Sequence, residues 1–297
     1  MKAKIFNWSI FLLLSLIWGS SFILMKIGLE ALSAYEVASV RMLSAGLVLL
    51  PFALRSFRNI PLAKYPWIIV TCLLGSFFPA YLFCLAETKI DSSLAGILNA
   101  LTPIFTLMIG IMFYKYQVGV YKIIGLLVGF TGLILLFITS GNISFSYLSY
   151  ASLVLLATLF YGINVNLVAH HLSGQSSVAI ASVAFCSFII PSTLILWLAG
   201  FCNHSIHQPH FIGAVVASVT MGVMGTAVAT ILYYMLIKRA GGFFASMVTY
   251  GIPFVAVGWG LFGGETIGLL QVLCLCMILA GVYLTSLQKK NNRKTSL

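Results

Sequence analysis

The chain has 297 residues, of which 61% are hydrophobic and 7% charged, against roughly a quarter charged in an average soluble domain. With a mean hydropathy of +1.09, this excludes a soluble globular domain, a disordered tail and a catalytic ectodomain; the solvent for so much apolar surface is the hydrocarbon of a bilayer. The net charge of +11 does not point to nucleic acid, because the basic residues are spread over short loops with no interleaved aromatic pattern.

At about 20 residues per crossing, the hydropathy pattern predicts ten helical spans, at 9–28, 35–54, 66–86, 93–113, 118–139, 148–169, 177–199, 212–236, 243–263 and 267–287. The connectors are too short to fold by themselves, and barrel strands would alternate in polarity where 97–112 does not. The first span follows Lys2 and Lys4 as a signal peptide would, but it is too long for the apolar region of one and lacks a small-residue cleavage site. With the N-terminus in the cytoplasm, 13 of the 16 basic residues fall on the inner side. Lys26, Arg41 and Lys89 fall on or near the outer side with all five acids, Glu30, Glu36, Glu87, Asp91 and Glu265. That is the positive-inside pattern of a multi-pass protein of the cell membrane with both termini cytoplasmic, and its basic loops suit anionic lipid headgroups. Five of the six cysteines lie inside spans, and Cys274 and Cys276 point to different helix faces, so neither a disulfide framework nor a metal cluster follows.

The chain repeats itself. A shift of 150 residues carries Gly75, Ala95, Pro103 and Gly110 onto Gly225, Ala245, Pro253 and Gly260; a shift of 143 carries Gly19 onto Gly162 and sets Trp18 opposite Tyr161. The fold class expected is therefore all-α and integral to the membrane: ten transmembrane helices in two five-helix repeats, 1–142 and 143–297. An odd number of crossings per repeat inverts the second copy, and two inverted bundles suit alternating access.

The run Leu16-Ile17-Trp18-Gly19-Ser20-Ser21-Phe22, then Lys26-Ile27-Gly28-Leu29 and Arg41, resembles the opening of the EamA branch of the drug/metabolite transporter superfamily. Leu101-Thr102-Pro103-Ile104-Phe105, Gly263-Gly264-Glu265, Gln271 and Ala280-Gly281-Val282 continue the resemblance through both repeats. It implies a carrier, an exporter of small metabolites, in which Lys26 and Arg41 matter. One departure stands out: the family carries a glutamate after span four as well as after span nine, and Lys115 stands here where the partner of Glu265 would be.

Interrupted helices at matching positions of two repeats point to a carrier's binding site. Pro103 and Pro253 are such a pair, each freeing the carbonyl four residues earlier, on Asn99 and Thr249. Asn99, Asn164 and Asn166 are too polar for lipid and belong in the interior, as ligands or as interhelical glue. Trp18, Tyr81, Tyr161, Tyr250 and Trp259 lie away from the headgroup belts, to stack on a solute or to pack between helices with the polar tip satisfied locally, whereas Tyr65, Trp67, Tyr147 and Tyr150 read as interface anchors. The expected substrate-binding set is Trp18, Tyr81, Asn99, Pro103, Tyr161, Asn164, Tyr250 and Pro253, in a cavity between spans 1, 3, 4, 6, 8 and 9.

Lys26 reaches the outer headgroups. Arg41 is deeper, and either pairs with Glu30, Glu36 or Glu87 or forms an anion-attracting vestibule. Gly125, Gly129 and Gly132 permit close helix approach, within the bundle or as the seam of a homodimer. His204, His207 and His210 sit in an outer loop with no firm metal geometry.

The leading function is a secondary carrier, because no nucleotide-binding loop is present and no cofactor is implied. The alternative is a membrane-embedded enzyme acting on lipid, which needs a nucleophile with its base, or a metal, at depth; no carboxylate or histidine falls near the middle of a span. The same absence disfavours cationic drugs and favours neutral, zwitterionic or anionic metabolites, amino acids first, and it confines any proton coupling to Glu30, Glu36, Glu87 or Glu265.

Overall fold

The computed structural model describes residues 2–90, 92–139, 148–255, 258 and 268–286, and within them the chain is helical with no strand. Asp91, Tyr147, Trp259 and Glu265 lie outside the described residues.

The first helix, α1 (Lys2–Leu29), is 28 residues long, or about 42 Å, more than the roughly 30 Å of a hydrocarbon core. Ser33 ends the turn that follows and starts α2 (Ala34–Ser56) with a reciprocal cap: its hydroxyl accepts from the Glu36 N–H, and Glu36 Oε2 accepts from the Ser33 N–H at 2.7 Å. Such a cap satisfies two amides that the helix ladder leaves unpaired. The chain continues through α3 (Leu62–Glu87), α4 (Ser92–Asn99), α5 (Thr102–Tyr114) and α6 (Val120–Thr139). The second half comprises α7 (Leu148–His171), α8 (Ser177–Leu198), α9 (Phe211–Ala240), α10 (Gly242–Val255) and α11 (Leu269–Ser286).

Six of these, α1, α2, α3, α7, α8 and α9, are long and apolar enough to cross a membrane, and shorter apolar helices lie within α5, α6, α10 and α11. Their outward faces stay apolar: Ile190 is 80% exposed and Trp197 63%. Only a bilayer accommodates a surface of that kind over a whole bundle.

Two irregularities recur about 150 residues apart. α3 loosens into a π-helical turn at Leu73–Phe77 and α9 at Met221–Val228. Ahead of Pro103 the chain breaks between α4 and α5, and ahead of Pro253 α10 tightens into a 3₁₀ turn at Met247–Gly251. The packing follows the same correspondence. α1 lies against α9 and α10 while α7 lies against α3, α4 and α5; α2 packs on α8, and α6 on α11.

The α6–α11 contact shows how the glycines are used. A Cβ on Gly281 would meet the backbone of Gly129 and the carbonyl of Gly125, and a Cβ on Gly129 would meet the Tyr250 ring. These glycines are thus occupied within the chain, backbone against backbone. Because backbone cannot rotate aside, Gly281→Val is expected to cost at least the 1–3 kcal/mol of ordinary overpacking and to lower the melting temperature of the detergent-purified protein by several degrees. Gly213, where a Cβ meets nothing, supplies the control; equal melting of Gly281→Val and Gly213→Ala would refute the assignment.

Candidate functional site

A cavity of about 90 Å³ lies between α1, α2, α3, the α4–α5 break, α7, α9 and α10. Nineteen of the described residues line it, and fourteen of them form seven pairs related by the shifts of 143 or 150. Trp18 and Ser21 of α1 correspond to Tyr161 and Asn164 of α7. Gly75, Ser76 and Phe83 of α3 correspond to Gly225, Thr226 and Tyr233 of α9, and Asn99 and Thr102 at the α4–α5 break to Thr249 and Ile252 of α10. The irregular turns therefore converge on one chamber, and each supplies small or polar residues to its lining.

Local chemistry explains the two breaks. Pro103 leaves the Asn99 carbonyl without its helical donor, and the Thr102 hydroxyl donates to it at 2.6 Å. Pro253 does the same to Thr249, whose carbonyl accepts the N–H of Ile252. Both acceptors are satisfied within their own segments, and neither proline ring lines the cavity. What the prolines contribute is the shape of the break, which turns Asn99, Thr102, Thr249 and Ile252 toward the chamber.

Of the residues expected from sequence, Trp18, Asn99, Tyr161 and Asn164 line the cavity. Tyr81 sits outside the lining, its hydroxyl 2.9 Å from Ser39 Oγ and its ring against Phe77. Tyr250 is fully buried and donates to the Leu126 carbonyl at 3.2 Å, which ties α10 to α6. Asn166 donates to the carbonyls of Thr106 and Gly162 and so joins α7 to α5. In all three a polar atom found a partner in a neighbouring helix, while Asn166 Oδ1 is buried without one among the described residues. Lys26 is exposed.

Arg41 lines the cavity. Its Nε donates to Thr226 Oγ1 at 2.6 Å, and that hydroxyl donates in turn to the Met221 carbonyl within the π turn of α9. Among the described residues no carboxylate lies within 4.0 Å of Arg41; the ion pairs found involve histidines only. Glu87 instead accepts from Ser92 at 2.9 Å through Oε2, and its Oε1 is buried with no partner. Among the described residues, no acid, histidine or cysteine lines the cavity.

Aromatic contacts repeat the symmetry. Trp18 meets Tyr233 edge-on at 5.0 Å, and the corresponding pair, Tyr161 and Phe83, stacks at 6.1 Å. The Trp18 indole also donates to the Gly225 carbonyl at 3.0 Å.

His204 lies in the loop ahead of α9 and ties that loop to the first turn of α2. Its Nε2 lies 3.0 Å from Glu36 Oε1 and its Nδ1 2.8 Å from Gln208, with the ring stacked on Phe211; beside it His210 lies 3.4 Å from Glu30. The hydrogen bond to Gln208 and the bond and charge of Glu36 raise the His204 pKa above its ordinary 6.5, against an opposing loss of hydration. A raised folded pKa contributes stability in full below the unfolded value and loses it as pH rises through the folded one. The thermal stability of the purified protein is thus expected to fall as pH rises past 6.5, and His204→Gln to flatten that slope; an unchanged slope in the variant would exclude His204 as its source.

An all-helical bundle with an apolar exterior and a polar, aromatic chamber at its centre is a multi-pass membrane protein. The EamA-like transporter family matches at residues 7–138 and again at 148–287, and the chain belongs to that family. YedA, named an uncharacterized inner membrane transporter of Escherichia coli (strain K12), is 28% identical over 292 residues, 93% of this chain and 89% of its own. YdfC, an uncharacterized transporter of Bacillus subtilis (strain 168), is 25% identical over 281 residues, 94% and 90% of the two chains. A solved crystal structure superposes with a TM-score of 0.70 at 15% identity, covering 93% of this chain and 95% of that one, a likeness of fold.

Proposed function

We propose that this membrane transporter is a secondary carrier that exports small metabolites by alternating access, with the cavity as its substrate site. The observation that carries the reading is the lining itself: seven pairs of repeat-related residues meet in one chamber. In this reading α4 and α5 together make the fourth of ten crossings, and 1–142 and 143–297 are inverted repeats of five crossings each. Both termini are cytoplasmic, at the end where Lys64 donates to the His171 carbonyl, Lys238 to that of Gln175, and Arg239 to Asn7. The basic residues gathered there accord with the positive-inside rule.

The substrate class is neutral, zwitterionic or anionic, with amino acids the first candidates. Trp18, Asn99, Tyr161 and Asn164 contact the solute, and Pro103 and Pro253 hold the broken segments that present Asn99 and Thr249. Tyr81 and Tyr250 support the walls from behind. A metabolite cation brought here would meet no carboxylate among the described lining residues, while aromatic faces return only about 0.5 to 2 kcal/mol each against several lost in dehydration. Proton coupling falls to Glu87, whose unpaired Oε1 is buried.

Counterflow of labelled amino acids in proteoliposomes tests the reading. Exchange that requires the same solute inside the vesicle is expected. Flux that never saturates and shows no counterflow would make the protein a channel and sink the carrier; concentrative uptake of a quaternary ammonium dye with amino acids inert would overturn the substrate class.

A further inference from the structure

Five lining residues stand outside the seven pairs, and one of them, Arg41, carries the cavity's only charge among the described residues. Its repeat counterpart at a shift of 143 is Ala184, 1% exposed in the core. The asymmetry is built in from both sides. Gly222 lets the π turn of α9 press against α2, since a Cβ there would strike Ser44 Oγ and the Arg41 carbonyl. The same turn presents Thr226 Oγ1 to Arg41 Nε. That single bond fixes the guanidinium and uses one of its five donors, and no carboxylate answers its charge within 4.0 Å among the described residues.

A guanidinium at the wall of a low-dielectric chamber is costly unless an anion compensates it. The planar fork of Arg matches a carboxylate or another planar oxyanion through two parallel N–H···O bonds. A second orphan lies in the same lining: Asn164 Oδ1, on a residue 2% exposed, has no hydrogen-bond partner among the described residues. An amide oxygen only accepts, so it asks for a donor from the solute.

We propose, resting on the carrier reading, that Arg41 is the specificity-determining residue of the cavity. It binds the carboxylate of a small organic acid, and Asn164 Oδ1 accepts a hydrogen bond from an N–H or O–H elsewhere on that solute. The site recognises polarity in one sense only, because the second repeat offers alanine where the first offers arginine. Solutes lacking the negative group leave the guanidinium unpaired and are rejected even when size and apolar contacts are the same, which narrows the proposed class to zwitterions and anions.

The test uses acid–amide pairs of one shape, L-leucine with L-leucinamide and 2-hydroxyisocaproate with its amide, at a pH where both acids are ionised. Binding is read as the melting-temperature shift of the full chain in detergent, and transport as counterflow in proteoliposomes. The acids are expected to stabilise the wild type and the amides to do so about tenfold to 100-fold less well, the range for a charge-assisted bond lost from a buried site. Arg41→Gln is expected to abolish the difference between acid and amide, and Arg41→Lys to keep part of it, with Thr226→Val as a milder variant that leaves the charge in place but unanchored. Acid and amide binding equally to the wild type, no carboxylate-dependent shift in either pair, or a shift that survives Arg41→Gln each overturns the proposal. An Arg41-dependent shift without counterflow supports the anion site and defeats the carrier reading instead, so the two failures are distinguishable.

Discussion

Tryptophan at position 75 or 225 is expected to bring transport down to the leak of empty vesicles while leaving the fold assembled. Both glycines line the cavity, in the π turns of α3 and α9. A Cβ at Gly75 would meet the Asn164 amide, and one at Gly225 the Ser21 hydroxyl. The atoms struck are ends of side chains and not backbone, unlike those at Gly281. The protein can therefore fold around the new ring, but an indole consumes a chamber of about 90 Å³. Overpacking of 1–3 kcal/mol at a binding site corresponds to about 5- to 150-fold in affinity, and the blockage adds to that. Because the two positions are repeat counterparts, the losses should match. Measured counterflow near wild type in either variant, in protein that still elutes as a single species, would remove the cavity from the transport path.

Much of this site was legible because the sequence repeats. The shifts of 143 and 150 came from glycines and prolines that any alignment of the chain on itself exposes, and Trp18, Asn99, Tyr161 and Asn164 followed from polarity at depth. Carrying those four through the same shifts gives Ser21 and Thr249 as well. What depth and polarity do not resolve is which way a side chain points. Tyr81 and Tyr250 lie as deep as Tyr161, but Ser39 and the Leu126 carbonyl supply partners for their hydroxyls, and those partners come from helices far away in sequence. The π turns left no mark in composition beyond their glycines, so Thr226 and its bond to Arg41 were out of reach. The same holds for His204: nothing in the sequence of its loop shows that the first turn of α2 brings Glu36 to it.

Alanine at Trp18 and alanine at Tyr161 are expected to bias the carrier in opposite directions. Trp18 pairs with Tyr233, about two turns from the end of α9 near the N-terminal face of the bundle. Tyr161 pairs with Phe83, about one turn from the opposite end of α3. The two pairs thus stand on opposite sides of the chamber and exchange under the repeat shifts. They are unequal in this structure: the Trp18–Tyr233 centroids are 5.0 Å apart with the indole bonded to the Gly225 carbonyl at 3.0 Å, whereas Phe83 and Tyr161 are 6.1 Å apart. In the proposed alternating-access cycle each pair serves as a latch between one repeat and the other, and removing one is expected to favour the conformation open on its own side. An aromatic pair contributes about 0.5–1.5 kcal/mol and the indole bond about 1 more, which together shift a two-state population about 13-fold to 70-fold. With the six native cysteines replaced, an impermeant thiol reagent applied to Thr249→Cys in inside-out and right-side-out vesicles reads that population. Trp18→Ala should raise labelling from the N-terminal face and Tyr161→Ala from the other, with the larger effect at Trp18 because two contacts are lost there. If both variants open the cysteine to the same face, the pairs are packing contacts without a gating role, and the symmetry of the lining has no counterpart in the motion.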